Sequence, residues 1–205
     1  MSALNGDSGV PSQWAKRRFG DLAGRLCAEV PARLMQAHKR AQKVHLTADL
    51  KKRSPYGGTL AEAVREELAE AALTLDGEVR DVRGYDYAII RDHALFPYKY
   101  ANRPMPVERA RLPSDASITR RRMLTGHGPD APEGLFPLDD SLTTDEHIQL
   151  HEAFEELGAT TRLVCVFFTA DPENGIHAIY WGEAQLEPDR TFTWPYREAL
   201  SVALA

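Results

Sequence analysis

Basic side chains are concentrated in the opening quarter of the chain. Residues 1–53 contain eleven Lys or Arg against four Asp or Glu, whereas the remaining residues contain fourteen against twenty-six. The net charge of -5 therefore combines a segment of +7 with a segment of -12. Clustered cations can neutralise phosphates and release the counterions that are condensed on a nucleic acid. The candidate nucleic-acid-binding residues are Lys16, Arg17, Arg18, Lys39, Arg40, Lys43, Lys51, Lys52 and Arg53, together with Arg120, Arg121 and Arg122 further along the chain.

Other interpretations of the basic segment stay open. The positive residues could form a solvated helix surface, or they could pair with the acidic remainder of the same chain. An acidic protein could also take the place of nucleic acid as the partner. The sequence contains no zinc-finger spacing and no RNP aromatic signature, so recognition of a nucleic acid would depend on charge.

Helical periodicity predicts a pair of helices at the N-terminus, beginning near Ser12. Pro31 lacks an amide donor and disfavours the helical conformation at the preceding residue, which predicts that the second helix starts there and ends near Val44. Thr59 and Glu62 have the spacing of a capping box, which predicts the start of a third helix.

Alternation with a period of two predicts a three-stranded antiparallel meander over residues 78–101, with Pro97 at a sheet edge or a bulge. A short helix over residues 117–124 and a loop over 125–134 follow, and a second capping box at Thr143 predicts another helix. An apolar strand over 163–168, a hairpin partner over 176–186, a last strand over 191–194 and a short terminal helix complete the chain.

These elements predict an α+β fold with an N-terminal helical pair, a helix, the meander, a helix and a C-terminal β-hairpin with an extra strand. We divide the chain into a basic helical region over residues 1–53 and an α+β core domain over residues 54–205. The longest apolar run, residues 163–168, is far shorter than the roughly 20 residues that cross a bilayer. The first ten residues lack the pattern of a secretory signal, so we expect a cytoplasmic protein with no membrane segment.

The order helix, three antiparallel strands, helix, strand over residues 60–169 is similar to the core of the PD-(D/E)XK nucleases. In that family a strand acid and an acid-x-Lys triplet hold a divalent metal, and the lysine steadies the attacking water. The resemblance implies Glu67 as the helix carboxylate, Asp86 as the strand acid and Lys99 as the lysine, with Mg²⁺ or Mn²⁺ as the cofactor.

The acid-x-Lys triplet is incomplete, because Pro97 occupies the position of its acid. An active nuclease would therefore need a migrated acid such as Asp81 or Asp92. An inactive relative that uses the same scaffold for binding is the other form of this alternative, since a fold does not determine a function.

Other motifs indicate little catalytic chemistry. His147 and His151 are four residues apart, but Ile148 replaces the glutamate of the zinc-protease motif, which favours a solvated helix face. The sequence has no nucleophile elbow, no phosphate loop and no dinucleotide-binding glycine pattern. Its many aromatic strand residues could stack on bases or pack the core. We therefore expect a regulatory or accessory protein that binds a partner and needs no cofactor.

Overall fold

The computed structural model of the chain describes residues 10–49, 52, 54–82, 85–114, 116, 118–126, 157–158 and 160–201. The α+β class is confirmed. The helices are α1 (Gln13–Phe19), α2 (Ala23–Ala48), α3 (Ser54–Thr74) and α4 (Ile118–Gly126), with short 3₁₀ turns at Gly20–Leu22 and Val107–Arg109. The strands are β1 (Glu78–Val82), β2 (Tyr85–Ile90), β3 (His93–Ala101), β4 (Arg162–Asp171), β5 (Gly175–Leu186) and β6 (Phe192–Leu200).

The N-terminal helical pair is present, but the predicted break at Pro31 is wrong. The first helix ends at Phe19 and is capped by Gly20, whose φ of 60° is costly for other residues, and α2 continues through Pro31. Val30 and Leu34 are fully buried on either side of the proline. Packing of this apolar stripe offsets the one backbone hydrogen bond that the proline cannot make.

Two other predicted helix boundaries need correction. Helix α3 begins at Ser54, so Thr59 lies inside it rather than at its cap, and Pro55 occupies the first turn, where amides need no intrahelical partner. At the C-terminus, β6 extends to Leu200, where a short helix was expected. The helix predicted from Thr143, with His147 and His151, lies outside the described residues, as does most of the loop over 125–134.

The six strands form one sheet in the order β1-β2-β3-β4-β5-β6. Neighbouring strands are antiparallel, except that β3 and β4 are parallel. The β2–β3 ladder is short. It runs from the Ile90–His93 pair at the turn to the Ala88–Leu95 pair, whereas β3 pairs with β4 along most of its length. Pro97 therefore lies beyond the last pairing with β2, on a part of β3 that has lost one neighbour, as its missing amide requires.

Apolar residues cover both faces of the central strand β4. Val164, Val166 and Phe168 belong to the cluster that includes α1, α2 and α3, while Cys165 and Phe167 belong to a second cluster on the opposite face. Burial on both faces explains why β4 is a continuous apolar run. Because α1 and α2 contribute to the same cluster as α3 and the sheet, residues of the basic N-terminal region help to build the main core.

Candidate functional site

Helix α1 is attached to the sheet through two carboxylates. The indole Nε1 of Trp14 donates to Glu183 Oε1 at 2.9 Å, and Arg18 Nε donates to the same oxygen at 2.7 Å. The hydroxyl of Ser12 accepts from Ala15 N as the helix cap and donates to Glu198 Oε1 at 3.0 Å. Arg18, one of the candidate nucleic-acid-binding residues, is thus paired within the chain.

Glu67 lies between helices α2 and α3, where it is 3% exposed. Its Oε2 accepts from Arg33 Nη1 at 3.3 Å, and its Oε1 accepts from Arg40 Nη1 at 3.1 Å. Arg40 also pairs with Glu66, and these carboxylates raise the pKa of Arg40 through hydrogen bonds and charge attraction. The structure therefore directs Glu67 toward α2, where two arginines neutralise it.

Other candidate nucleic-acid-binding residues are directed outward. Lys16, Arg17, Lys39 and Lys43 are exposed, and among the described residues they have no ion-pair partner. Lys52 is also exposed, whereas the structures of Lys51 and Arg53 and the side chain of Arg122 lie outside the described part. Arg121 donates to the carbonyl of Ser114. The candidate nucleic-acid-binding residues are thus divided between those that pair within the chain and those that are exposed.

Asp86 and Lys99 lie on the face of the sheet that α3 covers. Ala88 and Leu95 pack in the cluster with α3, so the period of two places Asp86 and Lys99 on that same face. Asp81 is the direct partner of Asp86 in the β1–β2 ladder, and side chains of such a pair are neighbours on one face. Glu67 does not join this group, because its carboxylate is held against α2.

Two adjoining cavities open where β2 and β3 separate, and we call them together the strand-split cleft. The larger cavity, about 250 Å³, is lined by Lys99 of β3 and Gly57 of α3, and the smaller, about 40 Å³, by Asp86. Arg65, Pro97 and Arg120 line both cavities. The structure thus places Asp86 and Lys99 in adjoining parts of one cleft.

Aromatic rings position the cations of this cleft. The guanidinium carbon of Arg65 lies 4.6 Å from the centre of the Tyr85 ring, and Lys99 Nζ lies 5.3 Å from the centre of the Tyr56 ring. Lys99 also donates to Asn102 Oδ1 at 2.7 Å. Burial raises the pKa of Tyr98 to about 12, while the positive charge of Arg120 acts in the opposite direction. Local sequence patterns give no signal for Arg65 and Gly57, because only the packing of α3 against β3 brings them to the cleft.

A buried polar cluster lies at the turn between β4 and β5. Asp171 Oδ1 accepts from the amides of Glu173 and Asn174 at 2.8 and 2.6 Å, and its Oδ2 is 2.8 Å from His177 Nε2. These hydrogen bonds hold the pKa of Asp171 well below its usual range, against the effect of burial. The contacts close the hairpin turn and leave the carboxylate well satisfied, so we assign the cluster a structural role.

Most of the aromatic strand residues belong to the core, which favours packing over a base-stacking platform. Phe167 makes edge contacts with Tyr98, Phe192 and Trp194 at ring separations of 4.8 to 5.0 Å. Burial raises the pKa of the Cys165 thiol on the same face to about 12.

Comparison with protein-family models, with curated proteins and with solved structures gave no match to this chain. Within the described ranges, no three His, Cys, Asp or Glu side chains are grouped so that they could hold a metal ion. None of the helices in this part of the chain has both the length and the apolar character of a membrane span.

Proposed function

We propose that the protein is a cytoplasmic binding protein with a regulatory or accessory role, and that it engages nucleic acid through exposed basic residues of α2. The observation that supports this proposal is the division of the basic residues described above. Arg18, Arg33 and Arg40 are neutralised within the chain, whereas Lys39 and Lys43 remain exposed. The internal pairs stabilise the fold, and the exposed lysines are available to an anionic partner.

Lys39 and Lys43 are four residues apart on α2, so their side chains lie on one face of the helix. Like charges at this spacing destabilise a helix by about 0.2–0.5 kcal/mol. Nothing in the described contacts of the two lysines compensates for this repulsion. A row of phosphates would compensate for it, since each neutralised phosphate releases condensed counterions. Lys16 and Arg17 need less explanation, because they lie in the last turn of α1, where the helix dipole favours cations.

The test is a fluorescence titration of short labelled DNA and RNA duplexes at several salt concentrations. We expect the double variant Lys39→Ala, Lys43→Ala to reduce the magnitude of the slope of log K against log salt by about 2. Each of the two lost phosphate contacts contributes roughly 0.9 to that slope. The matched control is Arg103→Ala, Arg109→Ala, which removes the same charge from exposed positions after β3. Absence of binding at low salt, or an equal slope change in the control, would reject the proposal. Binding to an acidic protein instead would identify the other class of partner.

The alternative function is that of a metal-dependent nuclease or an inactive nuclease-like domain. The pairing of Asp81 with Asp86 favours this alternative, because it places a second carboxylate beside the strand acid. These two residues would hold Mg²⁺ or Mn²⁺, and the metal would activate water. Glu67 is committed to Arg33 and Arg40, and Pro97 supplies no ligand, so the described residues support the inactive form better than the active one.

A nuclease assay with Mg²⁺ and with Mn²⁺ separates these two forms. The assay would support an active enzyme built on the strand pair if cleavage is lost in both Asp81→Asn and Asp86→Asn. Glu67→Gln should then retain cleavage. Cleavage that neither asparagine variant changes would show that the activity comes from elsewhere and would reject the assignment.

A further inference from the structure

Helix α2 has one exposed face that continues along most of its length. Six exposed residues recur on this face at intervals of three and four, which is the spacing of a seam between two packed helices. They are Ala28, Ala32, Gln36, Lys39, Lys43 and Leu46, and we call them the α2 stripe. The stripe spans about 27 Å, and the opposite side of α2 packs in the main core. It therefore offers a long, straight surface on a helix that is already held in place.

The two halves of the α2 stripe differ in size. Ala28 and Ala32 make the N-terminal half shallow, whereas long side chains project from the C-terminal half, where Leu46 is 70% exposed. Two copies of α2 packed antiparallel about Gln36 would place the long half of each copy over the short half of the other. This alternation of large and small side chains is what allows two helices to interdigitate.

The flank of α2 that faces α3 carries excess negative charge even after its ion pairs are counted. The pairs are Arg33 with Glu29, Glu67 and Glu70, and Arg40 with Glu66 and Glu67. Two guanidiniums thus face four carboxylates, which leaves a formal charge of -2. Glu29 and Glu70, both at Arg33, are 38% and 65% exposed, so they can accept a further cation.

Antiparallel packing brings these charges together with the exposed lysines. Lys43 is seven residues after Gln36 and Glu29 is seven residues before it, so Lys43 of one copy lies level with Glu29 of the other. Lys39 in the same way lies level with Arg33, whose charge three carboxylates already match, and so it meets the excess carboxylate of Glu70. Charged residues that flank a helix seam select the orientation of the partner in this way.

Parallel packing fails the same comparison of charges. It would place Lys39 and Lys43 beside the same lysines of the other copy, and such like-charge contacts are costly. The shallow half would also face another shallow half and leave a gap. Size and charge therefore both select the antiparallel arrangement.

We propose that the α2 stripe is an interface between two copies of this chain, packed antiparallel about Gln36. The contact is isologous, so each favourable pair occurs twice. This inference goes beyond the function proposed above. Because the dimer covers Lys39 and Lys43, self-association and nucleic-acid binding compete for one surface.

Sedimentation equilibrium of the full chain over a range of concentrations tests the charge pairing. We expect a monomer–dimer equilibrium whose Kd rises roughly tenfold in Lys43→Glu and in Glu29→Lys, since each change creates two like-charge contacts. The double variant exchanges the two charges and should restore the Kd. The control Glu78→Lys makes the same change of charge at an exposed position on β1 and should leave the Kd unchanged. Circular dichroism melting establishes that each variant is folded.

Two results would overturn the proposal. One is a native chain that stays monomeric up to its solubility limit. The other is a folded double variant that dimerises no better than the single variants, because a specific contact across the axis predicts recovery.

Cysteine cross-linking tests the position of the axis. The two copies of residue 36 meet at the axis, within the range of a disulfide, whereas the two copies of residue 43 lie about 21 Å apart. Gln36→Cys should therefore form a covalent dimer under mild oxidation, and Lys43→Cys should not. The native chain, with Cys27 and Cys165, provides the blank. Equal cross-linking of the two variants would contradict the antiparallel arrangement.

Dimerisation is measured without nucleic acid, so its failure is a separate result from failure of the proposed function. Addition of excess DNA duplex then tests the shared surface. Dissociation of the dimer on binding would support the competition for Lys39 and Lys43. A dimer that binds the duplex without dissociating would contradict the proposed interface.

Discussion

Glu67→Gln is the substitution that best separates a structural carboxylate from a catalytic one. The amide keeps the size of the side chain but removes the buried charge that pairs with Arg33 and Arg40, which retain their more exposed carboxylate partners Glu29, Glu70 and Glu66. Hydrogen bonds to charged groups contribute about 1.5–3 kcal/mol each. The two bonds of Glu67 measure 3.3 and 3.1 Å, longer than most charge-assisted bonds, and solvent screens the share of Arg40, whose side chain is 46% exposed. We therefore expect a loss of about 2 kcal/mol in the free energy of unfolding.

A loss of that size lowers the melting temperature by about 4–8 °C in a chain of this length. Thermal melting and urea denaturation both measure it. The matched control is Glu66→Gln, at the preceding residue, which also pairs with Arg40 but is 56% exposed. It should cost less than about 0.5 kcal/mol. Equal melting temperatures for the two variants would refute the structural role. That result would favour a functional role for Glu67, since functional residues often reduce stability.

Three further predictions concern stability and reactivity. Burial lowers the pKa of His38, which lies 2.9 Å from the Tyr56 hydroxyl, so the unfolded chain takes up a proton first as the pH falls. The free energy of unfolding should therefore decrease below about pH 6.5, and His38→Gln should flatten that decrease in urea titrations. Gly182→Ala should lower the free energy of unfolding in such titrations by roughly 3 kcal/mol, because its Cβ would lie 2.2 Å from a backbone oxygen of β6. Gly57→Ala should raise the free energy of unfolding by about 1 kcal/mol, because the added Cβ meets no atom within 4 Å and alanine favours the helix. Cys165, with its pKa raised to about 12, should react with iodoacetamide near pH 8 only after unfolding.

Local periodicity was sufficient to predict most of the strands. The meander predicted over residues 78–101 is observed as β1, β2 and β3, which span the same residues. Alternation along a strand depends only on neighbouring residues and on which face is buried, so the sequence itself contains the signal. The apolar run of β4 was recognised for the same reason, although the strand is longer than the run.

Helix boundaries were predicted less well, because the deciding contacts are distant in the sequence. Pro31 weakens a helix locally, yet α2 continues through it because Val30 and Leu34 pack in the main core. Thr59 and Glu62 have the spacing of a cap, but α3 starts five residues earlier, at Ser54. Tyr56, in the first turn of α3, is buried in the same core as Val30 and Leu34. In both cases the free energy of packing exceeds the local preference.

The sequence by itself determined the class of fold, the excess of positive charge in the first 53 residues and the identity of the residues that bear it. Only the tertiary structure decided which of those charges pair within the chain and which stay exposed. It directs Glu67 onto two arginines of α2, places Asp86 and Lys99 in adjoining parts of one cleft, and leaves Lys39 and Lys43 exposed. The physical reason is that charge pairing and cavities depend on distances between elements, whereas composition and periodicity are properties of the chain alone.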